Sequence, residues 1–322
     1  MVCKTKMTLW GKTRQGKQRF KCRHCSKTNI KKRPDQSLRR VDVLFERWLL
    51  ETETLERISH HAKVTLSTTV RKFKSLWGIS VPPLTYKGSG RVLIVDGIIL
   101  ERGVCILIAI DGDGAPITWM ECIRENSASW IVLLTLVKNQ GVSNPSIIVS
   151  DAQKGLLGGI KSVFPTIPHQ RCMTHVVRLA QAWLTRNPKT VAGQELRAII
   201  NTLYGVTSKS EAMVFKQRFS IWLTTHHSFL KEKSTSSDTG RSWYTHRRLR
   251  GVRSLIVHAI PNLFTFLDIP ETPRTTNKLE GGINSPIKAL IRHHRGMTVQ
   301  HRKVLVFRFL RKKQRGNTNT KC

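Results

Sequence analysis

Acidic residues are scarce in this chain: 20 Asp and Glu stand against 55 Lys and Arg, a formal charge of +35 over 322 residues. So large an excess excludes an ordinary near-neutral surface. It points to a polyanionic partner, DNA or RNA, held with strong salt dependence. Long apolar runs are also missing. No segment approaches the roughly 18–20 residues that a membrane span needs, and MVCKTKMTLWGKTR has no apolar centre for a signal peptide. The seven cysteines, at 3, 22, 25, 105, 122, 172 and 322, form no paired framework, and Cys105 and Cys122 lie in apolar, strand-like segments. A reducing cytoplasm, where the DNA is, suits them better than an oxidising compartment. Internal repeats are absent. What is present, 39% hydrophobic and 7% aromatic residues, suffices for the cores of two or three domains and excludes a disordered chain.

The periodicity changes along the chain. Residues 40–80 read as helices, with Val41, Leu44, Phe45, Trp48 and Leu49, then Leu55 and Ile58, then Val70, Phe73 and Trp77 at helical spacing. VPPLTYKGSG (81–90) is a linker. RVLIVDGIIL, GVCILIAIDGDG and ITWMECI then read as three strands, DGDG making the turn between the last two. SASWIVLLTLVKNQG is an amphipathic helix with Ser127 as its N-cap. PSIIVSD is a buried strand, AQKGLLGGIKSVF a helix and IPHQRCM a short fifth strand. The order β-β-β-α-β-α-β predicts a mixed α/β sheet covered by helices. Residues 173–270 read as mostly helical, interrupted by the polar break KEKSTSSDTGR, and 273–312 as helical and basic, ahead of the frayed tail RGNTNTKC.

Three acids stand out against this background. Asp96 lies inside an apolar strand, where an ionised carboxylate is costly unless a cation compensates it. Asp151 ends a buried strand, the position outside which ligands bind in open α/β sheets. Glu280 is the sole acid between Pro273 and Cys322, on a helix-like stretch whose polar face carries Asn277, Glu280, Asn284 and Lys288. Pro286, with Gly281 and Gly282, weakens a continuous helix there, and Ser285-Pro286 can start a second segment. Carboxylates are the hard ligands that Mg²⁺ or Mn²⁺ takes, and two such ions can serve phosphodiester cleavage. Read singly, Asp96 and Asp151 are also ordinary turn or cap residues, and Glu280 an ordinary solvated acid.

Two features upstream suit nucleic acid. Cys22-Arg-His-Cys25 has the spacing of a zinc knuckle, and Cys3 is the one further cysteine upstream. The site then draws a ligand from before Met1, borrows His24, or is degenerate. TLERISHHAKVTLSTTVRKFKSLW reads as helix, short break at His61–Val64, helix: a helix-turn-helix whose second helix exposes Thr68, Thr69, Arg71 and Lys72, the alternative being a plain helical hairpin. Arg39, Arg40, Arg71 and Lys72 suit phosphate contacts, and Arg247, Arg248 and Arg250 lie near Trp243 in a second basic stretch.

Taken together, VDG at 95–97, SDAQKGL at 150–156, QRCMTH at 170–175 and NKLEGGIN at 277–284 resemble the Mutator-type transposases of bacterial insertion sequences. The resemblance covers about residues 40–312. It implies an RNase H-like mixed sheet over 91–312 with a helical insertion at about 187–270, preceded by a helix-turn-helix over 34–80 and a zinc-ribbon-like module over 1–33. It implies that Asp96, Asp151 and Glu280 are catalytic ligands of Mg²⁺ or Mn²⁺, that Cys172 and His175 form a Cys-x-x-His pair beside the site with Asn277 and Asn284, and that Cys3, Cys22 and Cys25 hold Zn²⁺. The expected partners are transposon ends and target DNA, bound by a homo-oligomer without a membrane, in a prokaryotic cytoplasm at the nucleoid. The rival reading is a non-enzymatic DNA-binding regulator descended from such an enzyme. A third is an RNase H-like nuclease that needs no specific ends.

Overall fold

The computed structural model describes residues 5–30 and 34–318, so Cys3 and the tail beyond Thr318 lie outside the described residues, as does the side chain of Arg39. The chain divides into two compact units, residues 1–79 and 80–322.

The first unit begins with an antiparallel sheet of β1 (Met7–Lys12), β2 (Gln18–Cys22) and β3 (Thr28–Ile30). Three helices follow: α1 (Pro34–Glu51), α2 (Leu55–Ala62) and α3 (Leu66–Lys74). Phe45 of α1 packs edge-on against Phe73 and Trp77 at centroid distances of 5.1 and 4.9 Å, which holds the three helices together. Between α2 and α3 the chain turns at Lys63, which takes the left-handed conformation that glycine usually supplies (φ 52°). Thr65 then caps α3 by accepting the Thr68 N–H at 3.3 Å.

The second unit is built on five strands: β4 (Val92–Glu101), β5 (Val104–Asp111), β6 (Pro116–Cys122), β7 (Ile147–Ser150) and β8 (His169–Arg171). Their order is β6-β5-β4-β7-β8, antiparallel on the β6 side and parallel from β4 to β8. The expected mixed sheet and the expected β-β-β-α-β-α-β order along the chain are present. Asp111 makes the β5–β6 turn, its carboxylate accepting the N–H groups of Asp113 and Ala115. Both faces of the sheet are covered, which is why β4 and β5 read as near-continuous apolar runs. One face, with Leu93, Val95, Leu107 and Ile148, packs on α4 (Ser127–Asn139) and α5 (Lys154–Val163). Gly159 lets these helices approach closely, because a Cβ there would collide with Trp130. Asn126 caps α4, one residue before the expected Ser127. Its extended backbone lets its side chain accept the Ser129 N–H at 2.9 Å.

Beyond β8 come α6 (Met173–Leu184), α7 (Val191–Asn201), α8 (Lys209–Thr225), α9 (His227–Lys231), a hairpin of β9 (Lys233–Thr235) and β10 (Ser242–Tyr244), and α10 (Arg247–Leu263). The expected polar break is thus the β9–β10 hairpin. These helices share their own core, centred on Leu196, Phe215, Phe219, Trp222 and Ile256. The chain returns along α11 (Asn277–Leu279), a π-helical turn at Glu280–Asn284, α12 (Ser285–His293) and α13 (Val299–Thr318). The first four residues of the expected frayed tail are therefore helical.

Buried Gln170 fastens this return to the sheet. Its Nε2 donates to the carbonyls of Leu263 (2.9 Å) and Arg171 (2.7 Å), and its Oε1 accepts the Phe266 N–H at 2.9 Å. Gln170→Ala leaves these buried groups unmet and should lower stability by on the order of 2–4 kcal/mol. Chemical denaturation beside the parent checks this, and a loss below about 0.5 kcal/mol would contradict it.

Candidate functional site

The site grows from strand register. β4 and β7 run parallel with Ile94 opposite Val149 as their last pair. Two residues further along stand Asp96, still within β4, and Asp151, one residue past the end of β7, near enough for the charge of Asp151 to act on Asp96. The two-residue period puts their side chains on the same face. The backbone leaves the sheet at Asp151 because Ala152 is left-handed (φ 63°). Ser150 braces that bend: its hydroxyl accepts the Ala152 N–H at 3.1 Å and pairs with buried His169 Nε2 at 2.8 Å. Burial, with Arg171 adding to it, lowers the His169 pKa to about 4, so its ring is neutral at pH 7.

Asp96 is held from two sides. Its Oδ1 accepts the Gly97 N–H at 2.9 Å and its Oδ2 accepts Asn284 Nδ2 at 3.0 Å. Burial pushes its carboxyl up to about 7, and the charges of Asp151 and Glu125 add to that, against the Gly97 N–H and His175. Glu125 is an acid that the sequence reading left out. It precedes α4, its carboxylate lies where a side chain on Gly97 would be, and it accepts from Cys105 Sγ at 3.3 Å. Burial raises its pKa, and Asp151 raises it further. Three acids, one within β4, one just past β7 and one just before α4, therefore crowd together. The charges of Asp151 and Glu125 oppose ionisation of Asp96, and that of Asp151 opposes ionisation of Glu125, a condition that a divalent cation relieves.

Glu280 lies one step away. Met173 donates its N–H to the Arg274 carbonyl at 3.0 Å, and Thr276 N donates to Cys172 Sγ at 3.3 Å, which draws the returning chain against the start of α6. Glu280 Oε1 accepts the Thr276 hydroxyl at 2.9 Å and lies 3.6 Å from His175 Nδ1, while Oε2 pairs with Arg178 at 3.0 Å. Ligand atoms of Cys172, His175 and Glu280 all lie within 4.8 Å of one another. The hydrogen bond with Cys172 raises the His175 pKa to about 9; burial opposes this, and the charges of Cys172, Glu280 and Asp96 assist. Burial would raise the Cys172 thiol, but the hydrogen bonds from His175 and Thr276 outweigh it and lower its pKa. His175 thus stands between Glu280 and Asp96, its charge acting on both.

The structure brings Asp96, Asp151 and Asn284 together and sets Cys172, His175 and Glu280 beside them. It does not bring Asn277 in: that residue is exposed, and among the described residues no hydrogen bond joins its side chain to the acids. The expected polar helical face is interrupted, because the π-helical turn adds a residue after Glu280 and carries Asn284 inward, where it is 7% exposed. Arg178 has no sequence signal beyond its place on α6. On the first unit, Arg71 and Lys72 are exposed as expected, and Thr68 is half-buried. Thr69 is not exposed: it is 3% accessible, accepts the Ser59 hydroxyl at 2.9 Å and packs α3 on α2. Cys22 is buried and Cys25 exposed, joined by a tight turn in which Ser26 N donates to the Cys22 carbonyl at 3.0 Å.

Residues 89–295 match the model of the family described as Transposase, Mutator family. Over 118 residues the chain is 33% identical to the transposase for insertion sequence element IS905 of Lactococcus lactis subsp. lactis, covering 34% of this chain and 30% of that protein. It is 34% identical over 103 residues to the transposase for ISRM5 of Rhizobium meliloti, covering 31% and 26%. A longer match, 195 residues at 27% identity, joins it to the transposase for IS406 of Burkholderia multivorans, covering 58% and 43%. The matched segments span less than half the length of each of these relatives.

Asp96 titrates at about 7 in the fold and near its ordinary 3.8 when unfolded. Folding therefore takes up a proton between those values, and the metal-free protein should lose stability as pH rises from about 4 to about 7. With chelator present, Asp96→Asn should melt on the order of 5 °C above the parent at about pH 8 and within about 1 °C of it at about pH 4.5. Equal melting of the two at both pH values would contradict this environment.

Proposed function

Because the chain belongs to the Mutator family of transposases, we propose that it is the DNA-cleaving and strand-transferring enzyme of a bacterial insertion sequence. The observation that carries this reading is the register of β4 and β7, which sets Asp96 beside Asp151 within the matched segment. In this reading the reaction cuts a phosphodiester at the end of the element, and the freed 3′-hydroxyl then attacks target DNA. The order of the five strands supports an RNase H-like sheet, and the helical segment before α11 is its insertion.

Asp96 and Asp151 fit Mg²⁺ or Mn²⁺, since both offer hard oxygen donors from adjacent strands and their mutual repulsion favours a cation. A divalent cation bound there would supply Lewis-acid activation of the attacking oxygen and neutralise the leaving oxygen. The chain's own residues do the rest. Asn284 orients the Asp96 carboxyl, and Thr276 orients Glu280. Glu280 completes the set of acids by exchanging Arg178, whose exposed side chain is free to turn to a phosphate instead. The Cys172–His175 pair keeps a cation between Glu280 and Asp96.

In the first unit, α2 and α3 act as the helix-turn-helix, with Arg71 and Lys72 on phosphates and Thr68 at the groove. Cys22 and Cys25 form the knuckle of a zinc ribbon, which Cys3 would help to close. DNA ends and target DNA are the partners, engaged by more than one copy of the chain. The charge of +35 supports a DNA partner. Among the described residues no helix is long and apolar enough to cross a membrane.

Alanine at Asp96, Asp151 or Glu280 should reduce Mg²⁺-dependent cleavage and strand transfer about a thousandfold. The same variants should bind end-containing DNA within about twofold of the parent. Full activity in all three would overturn the proposal, and a parent that binds DNA but cuts nothing would leave the non-enzymatic regulator as the better reading. The double change Arg71→Ala and Lys72→Ala should flatten the salt dependence of binding, reducing the slope of log K against log salt by about two. An unchanged slope would remove α3 from the DNA interface.

A further inference from the structure

The β9–β10 hairpin carries two aromatic side chains on its surface. Trp243 is 43% exposed and Tyr244 38%, whereas Trp222 in the same group of helices is 2% exposed. An exposed indole is a cost that packing does not explain, and Trp243 faces Ser234 across the strands, a side chain too small to cover it. The frame beneath it is firmly built. His246 stacks on Phe229 at 3.7 Å and pairs with Glu232 at 2.8 Å, and Thr245 N donates to the Glu232 carbonyl at 3.0 Å. Arg250 lies 3.5 Å above the Tyr244 ring while donating to the Leu230 carbonyl at 2.9 Å, so Tyr244 already has its partner. Trp243 is the ring left open on a rigid base.

What surrounds it selects the partner. Residues 231–250 hold six Lys and Arg against two acids, and one of those acids, Glu232, is taken up by His246. The rest of the hairpin is largely Ser, Thr and Gly, and Tyr244, exposed beside Trp243, carries the Arg250 guanidinium on its ring. Cations, hydroxyl donors and one open aromatic face are the elements that bind unstacked nucleic acid, the cations following phosphates while a base lies on the ring. Duplex DNA keeps its base faces covered and has no use for such a ring.

We propose that the β9–β10 hairpin is a binding site for single-stranded or locally unpaired DNA, with one base stacked on Trp243. This rests on the reading of the chain as a DNA-processing enzyme, but it is tested by binding alone. The experiment is fluorescence anisotropy on the full chain, using a labelled oligothymidylate of about 12 nucleotides and a labelled duplex of similar length. Trp243→Ala should weaken single-strand binding about tenfold and leave duplex binding within about twofold. Trp243→Phe should keep single-strand affinity within about threefold of the parent, because Phe still stacks. Unchanged single-strand binding in Trp243→Ala would overturn the proposal, as would equal loss on both DNAs. So would a change of oligomeric state by light scattering with single-strand binding intact, which would mark a protein contact. Because the readout is single-strand binding and not cleavage, a failure of the catalytic reading and a failure of this one give different results.

Discussion

Two carboxylates set side by side by parallel strand pairing are the constraint on which the second unit turns. The pairing of Ile94 with Val149 brings the chain to Asp96 on β4 and to Asp151 just past β7, where the charge of one acts on the other. Burial and mutual repulsion then push Asp96 up to about 7. A fold maintained for packing alone gains nothing from such a pair, because apolar residues at both positions would remove the repulsion and the desolvation cost together. A cation beside the pair would favour ionisation of Asp96. Gly97 and Asn284 hold the Asp96 carboxylate, and Ser150 and His169 brace the bend that follows Asp151.

The long helical excursion between β8 and α11 follows from the same constraint. Roughly a hundred residues leave the sheet, form their own core and must come back in register with the site. Gln170 and Thr265 fix the end of α10 to β8, and Met173 and Cys172 then receive Arg274 and Thr276. The chain so guided delivers Glu280 to His175, and the extra residue of the π-helical turn delivers Asn284 to Asp96. π-helical turns are unfavourable and persist mostly where they serve a site. Here one turn lets two residues of the same segment reach two different partners, His175 and Asp96.

The strands were legible because both faces of the sheet are covered, so β4 and β5 are written in Val, Ile and Leu and an Asp inside them is conspicuous. Asp96 and Asp151 could be found that way, and their adjacency could not, since register is a tertiary property. Glu125 was missed because it sits in a loop whose composition is ordinary; only the fold brings it to Gly97. Thr69 was misread because period alone does not tell the groove-facing side of a short helix from the side that packs on its neighbour. Ser127 and Asn126 are both good caps, and the backbone angle at Asn126 decided between them. The hairpin at 233–244 was taken for a polar break because its strands are three residues each and carry no apolar alternation. The proline and glycines near Glu280 did announce an irregular helix, and the irregularity is a π-helical turn that brings Asn284 to Asp96.

The most direct measurement is anomalous diffraction from crystals of the chain grown with Mn²⁺. The account predicts density for the metal between the Asp96 and Asp151 carboxylates, with Arg178 displaced from Glu280. No metal at the paired aspartates, or metal held solely by Cys172 and His175, would contradict it.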